Sequence, residues 1–220
     1  MLPTWLSLLL NIMNTLLEQY CISLTSDFHK IPASRKELLD KIAHYIIAKR
    51  TNSEPVNLLY VCTHNSRRSH FGQLWAYVAA SYYQVKGVTA YSGGTEVTAF
   101  NVHAIQAVER AGFDVNPINT ETNTTYHLTI DEKEAPVVCF SKLFGDPFNP
   151  QSNFAAIMTC SDAEQNCPFI PGAELRIGTP YDDPKEFDHT PQQDAQYDER
   201  CRQIALETFY VFSKVSEYVC

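Results

Sequence analysis

The run Cys62-Thr63-His64-Asn65-Ser66-Arg67-Arg68-Ser69 gathers a nucleophile, two guanidinium groups and several hydrogen-bonding side chains within eight residues. A thiol attacks a tetrahedral oxyanion usefully only as the thiolate, so its surroundings must favour the anion. A loop that leaves a strand and enters a helix does this. Its unpaired first N–H groups and the positive end of the helix dipole point at the sulfur and at any bound phosphate-type ion. Arg68 adds a planar fork able to grip two oxyanion oxygens, which lysine cannot reproduce. Ser69 can donate its hydroxyl to the Cys62 sulfur, and Asn65 can brace the loop backbone. Cys62 is thus the candidate nucleophile and Arg68 the catalytic cation, with Thr63, His64, Asn65, Ser66, Arg67 and Ser69 as candidates for holding the oxyanion. A cysteine at a strand end is by default a small buried hydrophobe. The arginine six residues on, the adjoining serine and the flanking elements argue for a site instead.

Those elements are legible from periodicity. Asn57 to Val61 is a short apolar run of strand length that stops at Cys62. Phe71, Leu74, Trp75, Val78, Ala79 and Tyr82 then share one face of a helix over about 69–83. Val88 to Tyr91 reads as a second strand, Ser92-Gly93-Gly94 as a turn, and Val102 to Ala111 as a second helix closed by Gly112. Phe154 to Thr159 is a third buried strand, reaching Cys160 as the first reaches Cys62. A long last helix, Tyr197 to about Tyr218, carries Cys201, Ala205, Thr208, Phe212 and Val215 on one stripe. Upstream, Ser34 and Glu37 form a capping box for an amphipathic helix over 34–49. In the least readable stretch, 114–153, the segments 126–130 and 136–140 pair as a hairpin around Asp131 to Glu134. The alternation predicts a three-layer α/β/α domain with right-handed crossovers, and such sheets place ligand sites outside the carboxyl ends of their strands.

With 220 residues, 45% of them hydrophobic, the chain suits one domain plus an extension. Residues 1–54 are read as an N-terminal helical extension and 55–220 as the catalytic domain. A net charge of −8 argues against nucleic-acid binding, so any anion site must be local. Seven cysteines with no zinc-spaced pair fit a reducing, cytoplasmic setting with no metal and no cofactor. The apolar stretch Trp5 to Met13 is about half the length of a membrane span. It is read as a docking helix or a dispensable start, not a membrane segment, and a monomer is expected.

The loop resembles the C(X)5R(S/T) signature of low-molecular-weight protein tyrosine phosphatases and of the arsenate reductases sharing their fold. The similarity continues through Tyr91 to Gly94, Asn101 to Gly112 and Asp182-Asp183-Pro184. It implies a central four-stranded parallel sheet and makes Asp183 the general acid. Cys160 to Cys167, followed by Pro168, resembles the redox segment of thioredoxin-coupled arsenate reductases. On that resemblance Cys62 attacks arsenate, Cys160 attacks Cys62 to release arsenite, Cys167 attacks Cys160, and thioredoxin reduces the resulting disulfide. Were 160–167 a regular helix, its ends would lie about 10 Å apart, beyond the roughly 7 Å a disulfide spans, so the segment must loop out or unwind. Departures from the pattern are His64 where glycine is usual, Arg67 where a second cysteine is usual, and Gln73 where a glutamate of a potassium site often stands. His64 at a position suited to glycine is expected to alter the loop.

Two reactions compete. Phosphoester hydrolysis needs Cys62, Arg68 and Asp183 only. Arsenate reduction also needs two electrons from further thiols, for which Cys160 and Cys167 are placed. A third reading is an oxyanion-binding or redox-sensing protein with little turnover. Cys21, Cys139, Cys201 and Cys220 are read as structural, His70 as a helix-surface residue or one behind the loop, and Tyr181 as core packing.

Overall fold

In the computed structural model, which describes residues 13–131, 135–166 and 169–219, two helices precede the first strand: α1 (Thr15–Thr25) and α2 (Ala33–Thr51). Then follow β1 (Val56–Cys62), α3 (Arg68–Tyr82), β2 (Val88–Gly94), α4 (Val102–Ala111), β3 (Asp114–Pro117), β4 (Tyr126–Thr129), β5 (Val137–Cys139), β6 (Phe154–Met158), α5 (Ser161–Asn166), β7 (Ala173–Gly178) and α6 (Gln193–Val219). The stretch Trp5 to Ile12 lies outside the described residues.

β1 is apolar at nearly every position because both its faces are covered. It is the second strand of a four-stranded sheet ordered β2-β1-β6-β7, parallel throughout. Leu58 and Tyr60 face the larger core, with Trp75 and Phe71 of α3 and Phe209 and Phe212 of α6. Leu59 and Val61 face a thinner layer with Met158, Cys160, Ala163 of α5 and Ile170. The sheet is thus flanked on both sides, unequally. Each large side chain buried here contributes roughly 2–3 kcal/mol of hydrophobic stabilisation. Leu17, Cys21 and Leu24 of α1 and Leu39, Ile42 and Ile46 of α2 join the larger core.

Three local expectations change. No side chain caps α2: its N-cap is Pro32, so Ser34 and Glu37 form no capping box. Ser92, Gly93 and Gly94 are the buried end of β2, paired with Tyr60, Val61 and Cys62, and not a turn. The expected hairpin is there, β4 antiparallel to β5, but β3 adds a third strand on its far side. Gly112 closes α4 with a φ of 109°, as its position required.

The sheet reverses direction of growth at β1, since the chain passes from β1 outward to β2 and only later returns to β6 on the other side. The crevice at that switch point opens beyond the carboxyl ends of β1 and β6, where Cys62 and Cys160 stand.

Candidate active site

The loop after β1 is fixed by backbone contacts that only glycine at 94 permits. A Cβ on Gly94 would lie 2.6 Å from the Thr63 carbonyl oxygen and 2.7 Å from the Asn65 nitrogen. The residue of the loop in the left-handed region is Asn65 (φ 43°), not His64, and asparagine tolerates that conformation better than most. The expected strain at His64 is therefore absent. His64 turns outward, its Nε2 3.3 Å from Glu96.

Asn65 also sets the direction of a hydrogen-bond chain. Its Oδ1 accepts from the Lys142 backbone N–H at 2.9 Å, which fixes the amide orientation. Its Nδ2 then donates to Ser69 Oγ at 2.9 Å. The Ser69 hydroxyl hydrogen is left for the Cys62 sulfur, 3.1 Å away. Cys62 is 3% exposed.

Arg68 opens α3 and is buried. Its Nη1 donates to the Tyr181 carbonyl at 2.8 Å and its Nη2 to Asp183 Oδ2 at 2.6 Å. Its Nε is buried with no hydrogen-bond partner among the described residues. Asp183 is itself oriented by accepting from the Lys185 N–H at 3.1 Å. The neighbouring Asp182 side chain is 94% exposed, near Arg200, so of the two aspartates only Asp183 meets the loop.

The Arg67 guanidinium is held by neighbouring side chains, its Nε also 3.9 Å from Asp183 Oδ1. Its Nε donates to Tyr197 Oη at 2.8 Å, and that hydroxyl donates to Asp188 at 2.8 Å. Burial pushes the Tyr197 phenol up to about 12. The Arg67 side chain thus pins the loop to the first turns of α6. Ser66 donates its hydroxyl to the Ala99 carbonyl at 2.7 Å.

Cys160 follows β6, two places beyond the last registered β1–β6 pair, Val61 and Met158. Its sulfur lies 3.4 Å from Thr63 Oγ1 and accepts from the Ala163 N–H at 3.4 Å. Cys167 lies outside the described residues. Burial pushes Cys139 and Cys201 up to about 12, so these thiols stay protonated.

His70 is fully buried and not on the helix surface. Its ring stacks on Phe100 at 4.1 Å, and its Nδ1 is 3.2 Å from Ser92 Oγ. Desolvation, reinforced by the nearby Lys142 charge, holds it well below the ordinary histidine range. Gln73 is occupied by protein partners, donating to the Val138 carbonyl and facing Cys139. Sequence reasoning missed the brace from the 114–153 segment. There Ser141 donates to the His64 carbonyl at 2.9 Å and Lys142 meets Asn65.

No family model matches the chain. It is 29% identical over 128 residues to arsenate reductase 2 of Staphylococcus epidermidis, an alignment covering 58% of this chain and 77% of that protein. To arsenate reductase 1 of the same organism it is 27% identical over 156 residues, covering 69% and 93%. The sequence likeness is therefore to arsenate reductases, at under a third identity. A low-molecular-weight phosphotyrosine phosphatase from Vibrio cholerae superposes with a TM-score of 0.47 at 14% identity, over 72% of this chain and 95% of that one. The β2-β1-β6-β7 strand order and its parallel register define the fold. The loop, the acidic segment and the second cysteine converge at one end of the sheet.

Proposed function

We propose that the chain reduces arsenate to arsenite through thiols, with Cys62, Arg68, Asp183, Cys160 and Cys167 as its catalytic residues. The observation that carries this reading is the Cys160 sulfur resting on the hydroxyl of Thr63, the residue after the nucleophile. A phosphatase has no use for a second thiol there.

The Cys62 thiolate displaces one oxygen of arsenate, which leaves as water once protonated, and forms a sulfur–arsenic bond. Arg68 holds the oxyanion through the Nε/Nη2 edge of its guanidinium, displacing Asp183 from Nη2. The Cys160 thiolate then attacks the Cys62 sulfur. The sulfur–arsenic bond breaks with its electron pair on arsenic, arsenite leaves, and a Cys62–Cys160 disulfide remains. Cys167 attacks Cys160 and frees Cys62, and thioredoxin reduces the last disulfide. Closing Cys160 on Cys167 requires α5, helical over Ser161–Asn166, to open. The reading takes residues 55–220 as the catalytic unit, 1–54 as its extension, and a cytoplasmic monomer as its setting.

A second reading, hydrolysis of phosphotyrosine or small aryl phosphates, is favoured by the Asp183 carboxylate beside Arg68. There Cys62 takes the phosphoryl group and Asp183 protonates the leaving phenolate. The two divide on Cys160→Ser and Cys167→Ser. Under the reductase reading Cys160→Ser releases no arsenite but keeps residual p-nitrophenyl phosphatase activity. Cys167→Ser gives a burst of about one arsenite per enzyme and then stalls. Sustained arsenate turnover by both variants, or none by wild type supplied with thioredoxin, would leave the phosphatase reading standing.

A further inference from the structure

Tyr181 connects three parts of the molecule that are distant in sequence. Its carbonyl accepts from Arg68 Nη1 at 2.8 Å. Its N–H donates to the carbonyl of Thr159, the residue before Cys160, at 3.1 Å. Its hydroxyl donates to Glu207 of α6 at 2.7 Å. Glu207 is held in turn by Arg35 of α2, whose Nε and Nη2 lie 2.9 and 2.8 Å from Oε2. The Arg35 guanidinium also stands 4.8 Å over the Tyr181 ring. Tyr181 and Glu207 are 8% and 4% exposed.

A buried carboxylate and guanidinium are an expensive way to fill space, because an apolar pair of the same shape stabilises a fold as well or better. What such a pair does supply is direction. Glu207 and Arg35 clamp the phenol from its edge and its face, so the Tyr181 backbone cannot slide along the crevice. The carbonyl that receives Arg68 is thereby fixed. We infer that Arg35 and Glu207 are positioning residues that, through Tyr181, set the plane of the Arg68 guanidinium and hence the affinity of the loop for an oxyanion. The helix before the catalytic domain is then part of what makes the site bind. This rests on the oxyanion-site reading above.

The test reads binding without turnover. Inorganic phosphate is titrated as protection of Cys62 from alkylation, followed by mass spectrometry of the Cys62 peptide, alongside the thermal midpoint. Tyr181→Phe removes the hydroxyl, and Arg35→Met with Glu207→Leu removes both charges while refilling the space. The phosphate constant should weaken by about tenfold or more in each, since a displacement near 1 Å at an anion clamp has effects of that size or larger. Arg35→Lys, which keeps the charge but not the fork, should fall between these variants and wild type. A merely structural pair would lower the thermal midpoint and leave the phosphate constant alone. Variants that bind phosphate as wild type does, whatever their stability, overturn the positioning role. A wild type that phosphate never protects overturns the oxyanion site and this role with it.

Discussion

Arg68 and Asp183 are joined at 2.6 Å across the mouth of the loop, and the carboxylate sits on the guanidinium edge that an oxyanion would use. On the proposed reading an oxyanion would compete with Asp183 for Nη2, and the departure of Asp183 would open the buried, unpartnered Nε of Arg68 as a second donor. Under that reading, binding would free the carboxylate for proton transfer.

Arg68→Lys keeps the charge and loses the fork. We expect turnover on either substrate to fall by roughly a hundredfold or more, with the fold retained, because a lysine cannot serve the Tyr181 carbonyl and two oxyanion oxygens together. Steady-state kinetics beside circular dichroism decide it, and a variant within a few-fold of wild type counts against the clamp.

Asp183→Asn should cut aryl phosphate hydrolysis by about two to four orders of magnitude. The loss should be greatest for phenols that are poor leaving groups. Equal losses across a leaving-group series would mean that the residue acts on Arg68 and not on the leaving oxygen.

Ser69→Ala removes the hydroxyl aimed at the Cys62 sulfur. Alkylation of Cys62 at neutral pH should slow by about tenfold, as a hydrogen bond to a charged group contributes roughly 1.5–3 kcal/mol. Asn65→Ala should do the same and also destabilise the protein by about 2 kcal/mol, since the Lys142 N–H loses its partner. An unchanged alkylation rate in both would remove the relay from the account.

Lys142 is buried against Phe140 and Phe148, and desolvation lowers its ammonium to about 8. Below pH 8 both folded and unfolded chains carry the proton. Between about 8 and 10.5 only the unfolded chain does, so this group's contribution to stability rises with pH in that window. The full gain is about 3 kcal/mol. Buried thiols such as Cys139 and Cys201, held up near 12, pull the other way above pH 9. The lysine is therefore isolated by difference. Lys142→Met should gain on wild type at pH 7 and lose that advantage by pH 10 in urea denaturation. A pH-independent difference would mean that Lys142 titrates normally.

The loop was readable in the sequence because its chemistry and its flanking elements are local. A strand, eight residues and a helix follow one another without interruption. Other parts depend on pairings that leave no local mark. β7 was missed because Ala173-Glu-Leu-Arg-Ile-Gly178 is a half-exposed edge strand with weak alternation. α1 was missed because its apolar residues were overshadowed by the run before it. Arg67 looked like a second anion ligand because nothing near it in sequence announces Tyr197 and Asp188, which claim its side chain from more than a hundred residues away. Ser92 to Gly94 looked like a turn because glycine pairs usually are, whereas here they let the loop lie on the end of β2.

The β1–β6 pairing brings together residues 97 apart in the chain, as Val61 and Met158 show. Such a parallel, long-range ladder must bear its loop-closure entropy before any pairing offsets it, and is slow to form. The β1-α3-β2 unit needs no such wait. During synthesis, then, the oxyanion loop belongs to a segment able to organise early, while its second sulfur arrives only when β6 inserts. On the proposed reading, the relay is completed last, when β6 brings Cys160 beside the loop.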